Sequence, residues 1–465
     1  MNRIIYKGFA VAFVALTLTA CAGRKTYERP NVVNEKLFRT DNIPTDSLSS
    51  ANVSWRNIFT DATLQGHINK ALSNNLDVRV AMQNVASAQA YLKQSKAAFI
   101  PTLAAQANYT RATSSINAAG GLGERTYNNL FDITGSASWE ADIWGKLSAQ
   151  KRASYASYLA TVEAQKAVQS EVVATLATAY YQLLMLDEQK KVLEQTIEFR
   201  TKSLETTKQL KNAGSTTEVA TKQIEALVYN AQAQLITINN SIWALENTIC
   251  VLLGEEPHHI ERSTLAEQQF PTEFRQGYAV SLLENRPDVA RAELNLRNAF
   301  ELTNVARAAF YPTLTLSARG GISSTELDTW FSAKSMFANF IAGLAQPILN
   351  RRQIRTQYEV QKAAQETALL NFKKAILSAG KEVSDAMHQF NSQDEFIQLK
   401  TKEMEAYQKA TDFSKQLFDS GMVNYLEVIT AEVNRLNAEL SVANAQFTHM
   451  QYGITLYKAL GGGWK

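Results

Sequence analysis

From Lys146 to Ala213 the chain runs 68 residues without a glycine or a proline, and from Ser215 to Leu253 another 39. Ala, Gln, Glu, Lys and Leu dominate both stretches, and all are strong helix formers. A helix of the first length would reach ~100 Å at 1.5 Å per residue. Helices that long occur mainly in coiled coils, so neighbouring helices must cover their apolar stripes. The same pattern returns from Gln353 to Ser420, broken only by Gly380, and from Met422 to Leu460, broken only by Gly453.

The recurrence is an internal duplication. "AAFIPTL" at 97–103 reappears as "AAFYPTL" at 308–314, an offset of 211. At that offset Asn74, Asp77, Val78, Ala81, Asn84 and Ala88 meet Asn285, Asp288, Val289, Ala292, Asn295 and Ala299, which makes 12 identities across residues 74–103. Gly214 meets Gly421, and Leu253-Gly254 meets Leu460-Gly461, at an offset of 207. A period near 200 residues is too long for a solenoid. It points to two copies of one unit.

Within each copy the two long helical stretches meet at one glycine. "KNAGSTTE" offers Gly214 as a C-cap and Ser215 with Glu218 as a capping box for the next helix. "FDSGMVNYLE" offers Gly421, then Asn424 as an N-cap with Glu427 three residues on. Both predict tight turns between antiparallel helices.

Pro101 and Pro312 each end a helix at Phe-x-Pro-Thr-Leu, and the apolar period then changes to two. Leu103, Ala105, Ala107 and Tyr109 alternate with Thr102, Ala104, Gln106, Asn108 and Thr110; Phe131, Ile133, Ala137 and Trp139 alternate with Asp132, Thr134, Ser136 and Ser138. The second copy sets Leu314, Leu316, Ala318 and Ile322 against Thr313, Thr315, Ser317, Arg319 and Ser323; its partner, "MFANFIAGLAQPIL", alternates less cleanly. Four one-faced segments of about ten residues match tilted barrel strands. Four strands close no barrel, because the smallest spanning barrels have about eight. The chain is therefore expected to oligomerise, a dimer giving eight strands and a trimer twelve.

The first twenty residues read as an export signal, with Arg3 and Lys7 ahead of an apolar run. Leu18-Thr19-Ala20-Cys21 follows and resembles a lipobox, which makes Cys21 the expected lipid attachment site. No later run is apolar enough for a spanning helix, so a membrane crossing would require a closed barrel. Net charge is +3, and losing the signal lowers it by two, which leaves no nucleic-acid footprint. No nucleophile motif, P-loop, metal-ligand spacing or methionine cluster stands out. Adjacent His258 and His259 read as a solvated loop pair, and Cys250 as a buried small hydrophobe. No enzyme activity and no cofactor beyond the Cys21 lipid are expected.

The ordered motifs resemble the TolC-like outer membrane factors, in particular the lipoprotein branch serving multidrug efflux pumps. They are the lipobox, Tyr27-Glu28-Arg29-Pro30, Trp55, Phe59, Asp61, Asn75-Leu76-Asp77, Arg286-Pro287-Asp288-Val289 and Trp139-Glu140-Ala141-Asp142-Ile143-Trp144-Gly145-Lys146. The resemblance implies a mainly α fold with a small transmembrane β part. Four strands per chain would join a homotrimeric twelve-stranded barrel that continues into a periplasmic α-helical barrel. It also implies a mixed equatorial region built partly from the chain ends. It implies docking to a periplasmic adaptor and an inner-membrane transporter of the resistance-nodulation-division type, with outer-membrane lipid around the barrel. Ala22 after the lipidated Cys fits outer-membrane sorting.

By the same resemblance, Leu426, Glu427 and Thr430 fall where a periplasmic gate is expected, with Thr430 standing where many members have Asp. Gly214, Ser215, Glu218, Gly421 and Asn424 become adaptor-facing tip residues. The expected organisation is a signal (1–20), an extended segment (21–60), repeat 1 (61–254, β-hairpin 101–144, tip at 214) and a linker (255–280). Repeat 2 (281–461, β-hairpin 312–349, tip at 421) and a tail (462–465) complete it. Two other roles remain open to the sequence: a duct for protein secretion, against which the lipobox weighs, and a non-channel coiled-coil lipoprotein, against which the four strands weigh.

Overall fold

The computed structural model describes residues 25–30, 54–113, 115, 125, 127–268 and 285–464. Cys21, the signal and residues 269–280 of the expected linker lie outside the described residues. The elements, in order, are α1 (Trp55–Ile58), α2 (Ala62–Asn74), α3 (Leu76–Ala97), β1 (Thr102–Thr113), β2 (Tyr127–Ala141), α4 (Lys146–Asn212) and α5 (Glu218–Leu253). Then come α6 (Pro287–Ala308), β3 (Thr313–Ser324), β4 (Met336–Ala345), α7 (Gln353–Asp419) and α8 (Tyr425–Ala459).

The duplication is exact in the element lengths that matter. α3 and α6 have 22 residues each, β1 and β3 have 12, and α4 and α7 have 67. The offset drops from 211 to 207 between the first strand and the long helix of each copy, so the second β-hairpin is four residues shorter. Helix α7 runs through Gly380 and α8 through Gly453 without a break.

The chain forms two compact units. One gathers the described parts of residues 1–30, 86–160 and 292–372 and holds the four strands. They form a single antiparallel sheet in the order β1-β2-β3-β4, so the two copies contribute adjacent hairpins joined along β2 and β3. The other unit gathers 31–85, 161–291 and 373–465 and is helical. Its core lies on α4, where Leu176, Tyr180, Leu183 and Leu184 are at most 1% exposed. Trp55, Phe59, Leu64 and Ile68 from the N-terminal helices are buried in the same unit, and Phe59 meets Tyr457 edge-on at 6.1 Å.

The helix ends follow local chemistry. Gly214 and Gly421 have φ of 76° and 72°, the left-handed region that glycine enters without a Cβ penalty. The N–H of Ser215 closes on the Leu210 carbonyl and that of Met422 on the Leu417 carbonyl, both at 2.9 Å, so each helix ends in a Schellman motif. Asn424 caps α8 by accepting from the Glu427 N–H.

The capping box read at Ser215 is corrected by the structure. Thr217 is the N-cap of α5, accepting from the Ala220 N–H, and Glu218 is the first helical residue. The Ser215 N–H is already used to finish α4 and the chain needs two further residues to turn. Thr217 is thus the counterpart of Asn424. Glu218 instead receives a 2.8 Å hydrogen bond from Lys211 across the turn.

Candidate channel wall and helix tips

The strand register assigns every residue of the sheet to a face. Leu103 lies opposite Ala137, which pairs with Ala318, which pairs with Phe340. The next rows on that face are Ala105, Gly135, Gly320 and Ala338, then Ala107, Ile133, Ile322 and Met336. Leu314 pairs with Leu344, and Leu316 lies between Trp139 and Ala342. This face is apolar across all four strands, and its large side chains are uncovered: Leu103 is 83% exposed and Phe340 72%. A contiguous apolar sheet face in water is costly, at roughly 25 cal/mol per Å². The opposite face carries Thr102, Gln106 and Asn108, then Asp132, Thr134, Ser136 and Ser138, then Thr315, Ser317 and Arg319. Strand β4 departs from the pattern by placing Phe337 and Ile341 there.

Aromatic residues mark both ends of the strands. At one end Tyr109 stacks on Phe131 at 4.8 Å and Phe131 meets Trp330 at 5.7 Å. At the other, Trp144 stacks on Tyr311 at 4.8 Å and its indole N–H donates to the Pro312 carbonyl at 2.7 Å. Trp139 donates to the Phe99 carbonyl at 3.0 Å. Both prolines sit between helix and strand, β1 starting after Pro101 and β3 after Pro312. From Phe131 to Trp139 is about 27 Å along the strand at ~3.4 Å per residue. With the usual barrel tilt of about 40°, that spans most of an outer-membrane apolar band of about 25 Å. Among the described residues no helix is long and apolar enough to cross a membrane.

At the second tip, Leu426 is 54% exposed and Glu427 and Thr430 are exposed beside it, while Val428 and Glu432 turn inward. The Thr430 hydroxyl donates to the Leu426 carbonyl at 2.9 Å and is held on its own helix. Phe418 and Tyr425 pack edge-on at 5.0 Å across the turn. Burial raises the Tyr425 phenol pKa, although hydrogen bonds with Ser203 and Thr207 of α4 oppose the rise. Gly214, Ser215, Glu218, Gly421 and Asn424 are all exposed.

An ionic network that the sequence did not reveal lies about two to four turns along α8 from that tip. Glu432, 3% exposed, faces Lys415 at 3.2 Å and Arg435 at 3.3 Å, and Arg435 reaches Glu439 at 2.8 Å. Buried Arg200 of α4 donates to the Leu227 carbonyl, and desolvation lowers its pKa against the opposing pull of Glu432. Only the Glu432-Arg435-Glu439 spacing along α8 was visible in the sequence, because the other members come from other helices. A second missed feature is the buried pair Asp132 and Thr134 on the polar face of β2, 7% and 1% exposed. The loop histidines meet different partners. His258 Nδ1 lies 3.4 Å from Cys250 Sγ, and His259 Nδ1 lies 2.8 Å from Glu246.

Residues 25–30 lie along α6. Asn304 donates to the Lys25 carbonyl at 3.1 Å, Arg29 pairs with Glu293 at 3.1 Å, and Tyr27 meets Phe300 edge-on at 5.6 Å. This pins the chain four residues after Cys21 beside the helix that leads into β3.

The family model described as outer membrane efflux protein matches residues 67–255 and 279–462. The cation efflux system protein CusC of Escherichia coli (strain K12) is 27% identical over 461 residues, 97% of this chain and 98% of the relative. The probable outer membrane lipoprotein SilC of Salmonella typhimurium is 28% identical over 442 residues, 94% of each chain. Among solved structures, CusC matches with a TM-score of 0.84 at 25% identity, covering 94% of this chain and 99% of that one. The open state of the Neisseria gonorrhoeae MtrE outer membrane channel matches with a TM-score of 0.84 at 26% identity, covering 95% and 98%. The chain belongs to the outer membrane efflux protein family and is an efflux channel of the outer membrane.

Proposed function

We propose that three copies of this chain close a twelve-stranded barrel and form the passive exit duct of a tripartite efflux pump. The observation that carries this reading is the four-stranded sheet with two unpaired edges, β1 and β4, and one exposed apolar face. Open edges of that length are aggregation templates, and closure removes them. Further support comes from heptad-spaced apolar residues left uncovered on the helices. Tyr229, Ile236 and Trp243 on α5 are each over 60% exposed, as is Leu377 on α7, where Leu370 is 56% exposed. Seven-residue spacing is what a neighbouring helix covers.

Within this reading Cys21 carries the lipid, and the 25–30 segment sets the anchor close to the start of β3. The turns at Gly214, Ser215, Glu218, Gly421 and Asn424 meet a periplasmic adaptor, which links the duct to an inner-membrane RND-type transporter. Leu426, Glu427 and Thr430 form the resting constriction. Relatives of similar identity are named for cation and for toluene efflux, which supports a duct whose cargo is chosen by the pump it serves.

The test is cross-linking of the open edges. Cysteines at Ala107 on β1 and at neighbouring outward positions of β4 are expected to join copies into a covalent trimer in outer membranes. Monomers alone across the whole β4 series would reject closure between β1 and β4.

A further inference from the structure

On the polar face of the sheet, four side chains form one hydrogen-bonded line across three strands. Asn108 Nδ2 donates to Asp132 Oδ2 at 3.3 Å, and the Thr134 hydroxyl donates to the same oxygen at 3.2 Å. The Thr134 oxygen in turn accepts from the Arg319 guanidinium at 3.4 Å. Arg319 stands in the row of Ser136 and Asn339, and Gly321 in the next row, between Thr134 and Phe337. A Cβ at Gly321 would run into the Ile133 carbonyl, so only glycine fits in the row beside Arg319. Arg319 sits 5.7 Å from the Phe337 ring centroid, within cation–π range.

The two charges in this line differ in what they show to solvent. The Asp132 carboxylate is buried and satisfied by two donors, whereas Arg319 is exposed. At the helix end of the sheet Glu140 is paired with Lys146 at 3.0 Å. Among the described residues of this face between the aromatic ends, Arg319 is therefore the charge that a passing solute meets. Ionisable residues at membrane depth face a pathway rather than lipid, and low-dielectric walls concentrate their field on it.

We infer that Arg319, steadied by the Asn108–Asp132–Thr134 line, forms a cationic belt inside the barrel that favours anionic solutes such as carboxylates and sulfonates. This rests on the closed-barrel reading, in which three copies bring three guanidinium groups around one axis. A planar guanidinium suits such oxyanions, because it offers paired donors to two oxygens at once.

Single-channel recording in planar bilayers under a KCl gradient tests the belt on the purified full-length protein. Arg319→Gln is expected to raise the potassium-to-chloride permeability ratio about threefold, the scale at which a ring of charge biases local ion concentration. Arg319→Lys should stay near wild type. Glu427→Gln should shift the ratio the opposite way, which separates the belt from the proposed constriction. Conducting Arg319→Gln pores with an unchanged ratio would overturn the belt and leave the barrel intact. Equal shifts in the Gln and Lys variants, or loss of the oligomer in either, would assign Arg319 a packing role instead and overturn the belt. A wild type that neither conducts nor runs as a trimer in detergent would defeat the closed-barrel reading itself.

Discussion

Asn75 and Arg286, which occupy matching positions in the two copies, do the same work with different chemistry. Asn75 Nδ2 donates to the Leu252 carbonyl at 2.9 Å, and Arg286 donates to the Ala459 carbonyl at 3.0 Å. Each thereby satisfies a carbonyl in the last turn of the helix that closes its copy. Asn75 also caps α3 through the N–H groups of Asp77 and Val78. Arg286 instead pairs with Asp288 and Glu382.

These two residues can be ranked against the surface pairs. Asn75→Ala removes a cap and strands a carbonyl, a loss of about 2 kcal/mol. Arg286→Ala strands the Ala459 carbonyl and also loses the half-exposed pairs with Asp288 and Glu382, so it should lose at least as much. Lys202→Ala, which breaks a fully exposed helical pair with Glu198, should cost the least of the three. Denaturant titration of the three variants in detergent checks the order. An equal loss from Lys202→Ala would reject it.

The four helix-ending glycines fall into two classes. Gly421 has φ of 72° and nothing within 4 Å of an added Cβ, so Gly421→Ala meets only the left-handed backbone penalty of about 1 kcal/mol. Gly461 has φ of 90°, and an added Cβ would lie 2.8 Å from the Asn285 carbonyl; Gly254 repeats this against Asn74. Gly461→Ala and Gly254→Ala should therefore lose clearly more, at least about 2 kcal/mol. Thermal melting of the three variants decides it, and a Gly421→Ala loss as large as the other two would be contrary.

Leu316→Arg places a charge on the apolar face and is expected to cost ~2–4 kcal/mol near the bilayer midplane. Thr315→Arg, on the polar face, should be much milder. Heat resistance of the oligomer in detergent compares them. A greater loss at Thr315 would contradict the register.

Stability should fail on both pH flanks. Burial raises the Asp61 carboxyl pKa, but hydrogen bonds from Ser263, Tyr180 and the N–H groups of Thr63 and Leu64 take it below its ordinary 3.8. At Asp288 burial is likewise overcome by hydrogen bonding and charge from Arg286. Both contributions are complete above pH 3.8 and vanish as pH falls through the lower folded values. Burial pushes Tyr180 and Tyr457 up to about 12 from 10.0, so their contribution is complete below pH 10 and lost between 10 and 12. Unfolding monitored across pH should show a plateau between these limits. Asp288→Asn should flatten the acid flank, and an unchanged flank would rule Asp288 out as a cause.

Cys21→Ser is expected to abolish acylation while channel assembly persists in part, since the barrel holds the protein in the membrane. Metabolic labelling with a fatty acid reads this directly. Equal label on both proteins would move the attachment elsewhere.

The duplication, the long helices, the glycine turns, the helix-to-strand prolines and the two faces of β1, β2 and β3 were all legible in the order of residues. All of these are written in local periods and in residues whose backbone freedom is fixed by covalent structure. The exposed gate candidates were legible only through the family resemblance, because a gate acts between copies. The packed chain alone shows that β2 pairs with β3, for strand partners 173 to 193 residues apart leave no local mark. It moved the cap from Ser215 to Thr217, since one N–H cannot finish α4 while its residue starts α5. It also gathered Asp132, Thr134, Asn108 and Arg319 into one line, and Glu432 with Lys415 and Arg200. Those contacts join residues from separate strands and helices, and only the packed chain brings them within hydrogen-bonding or Coulombic range.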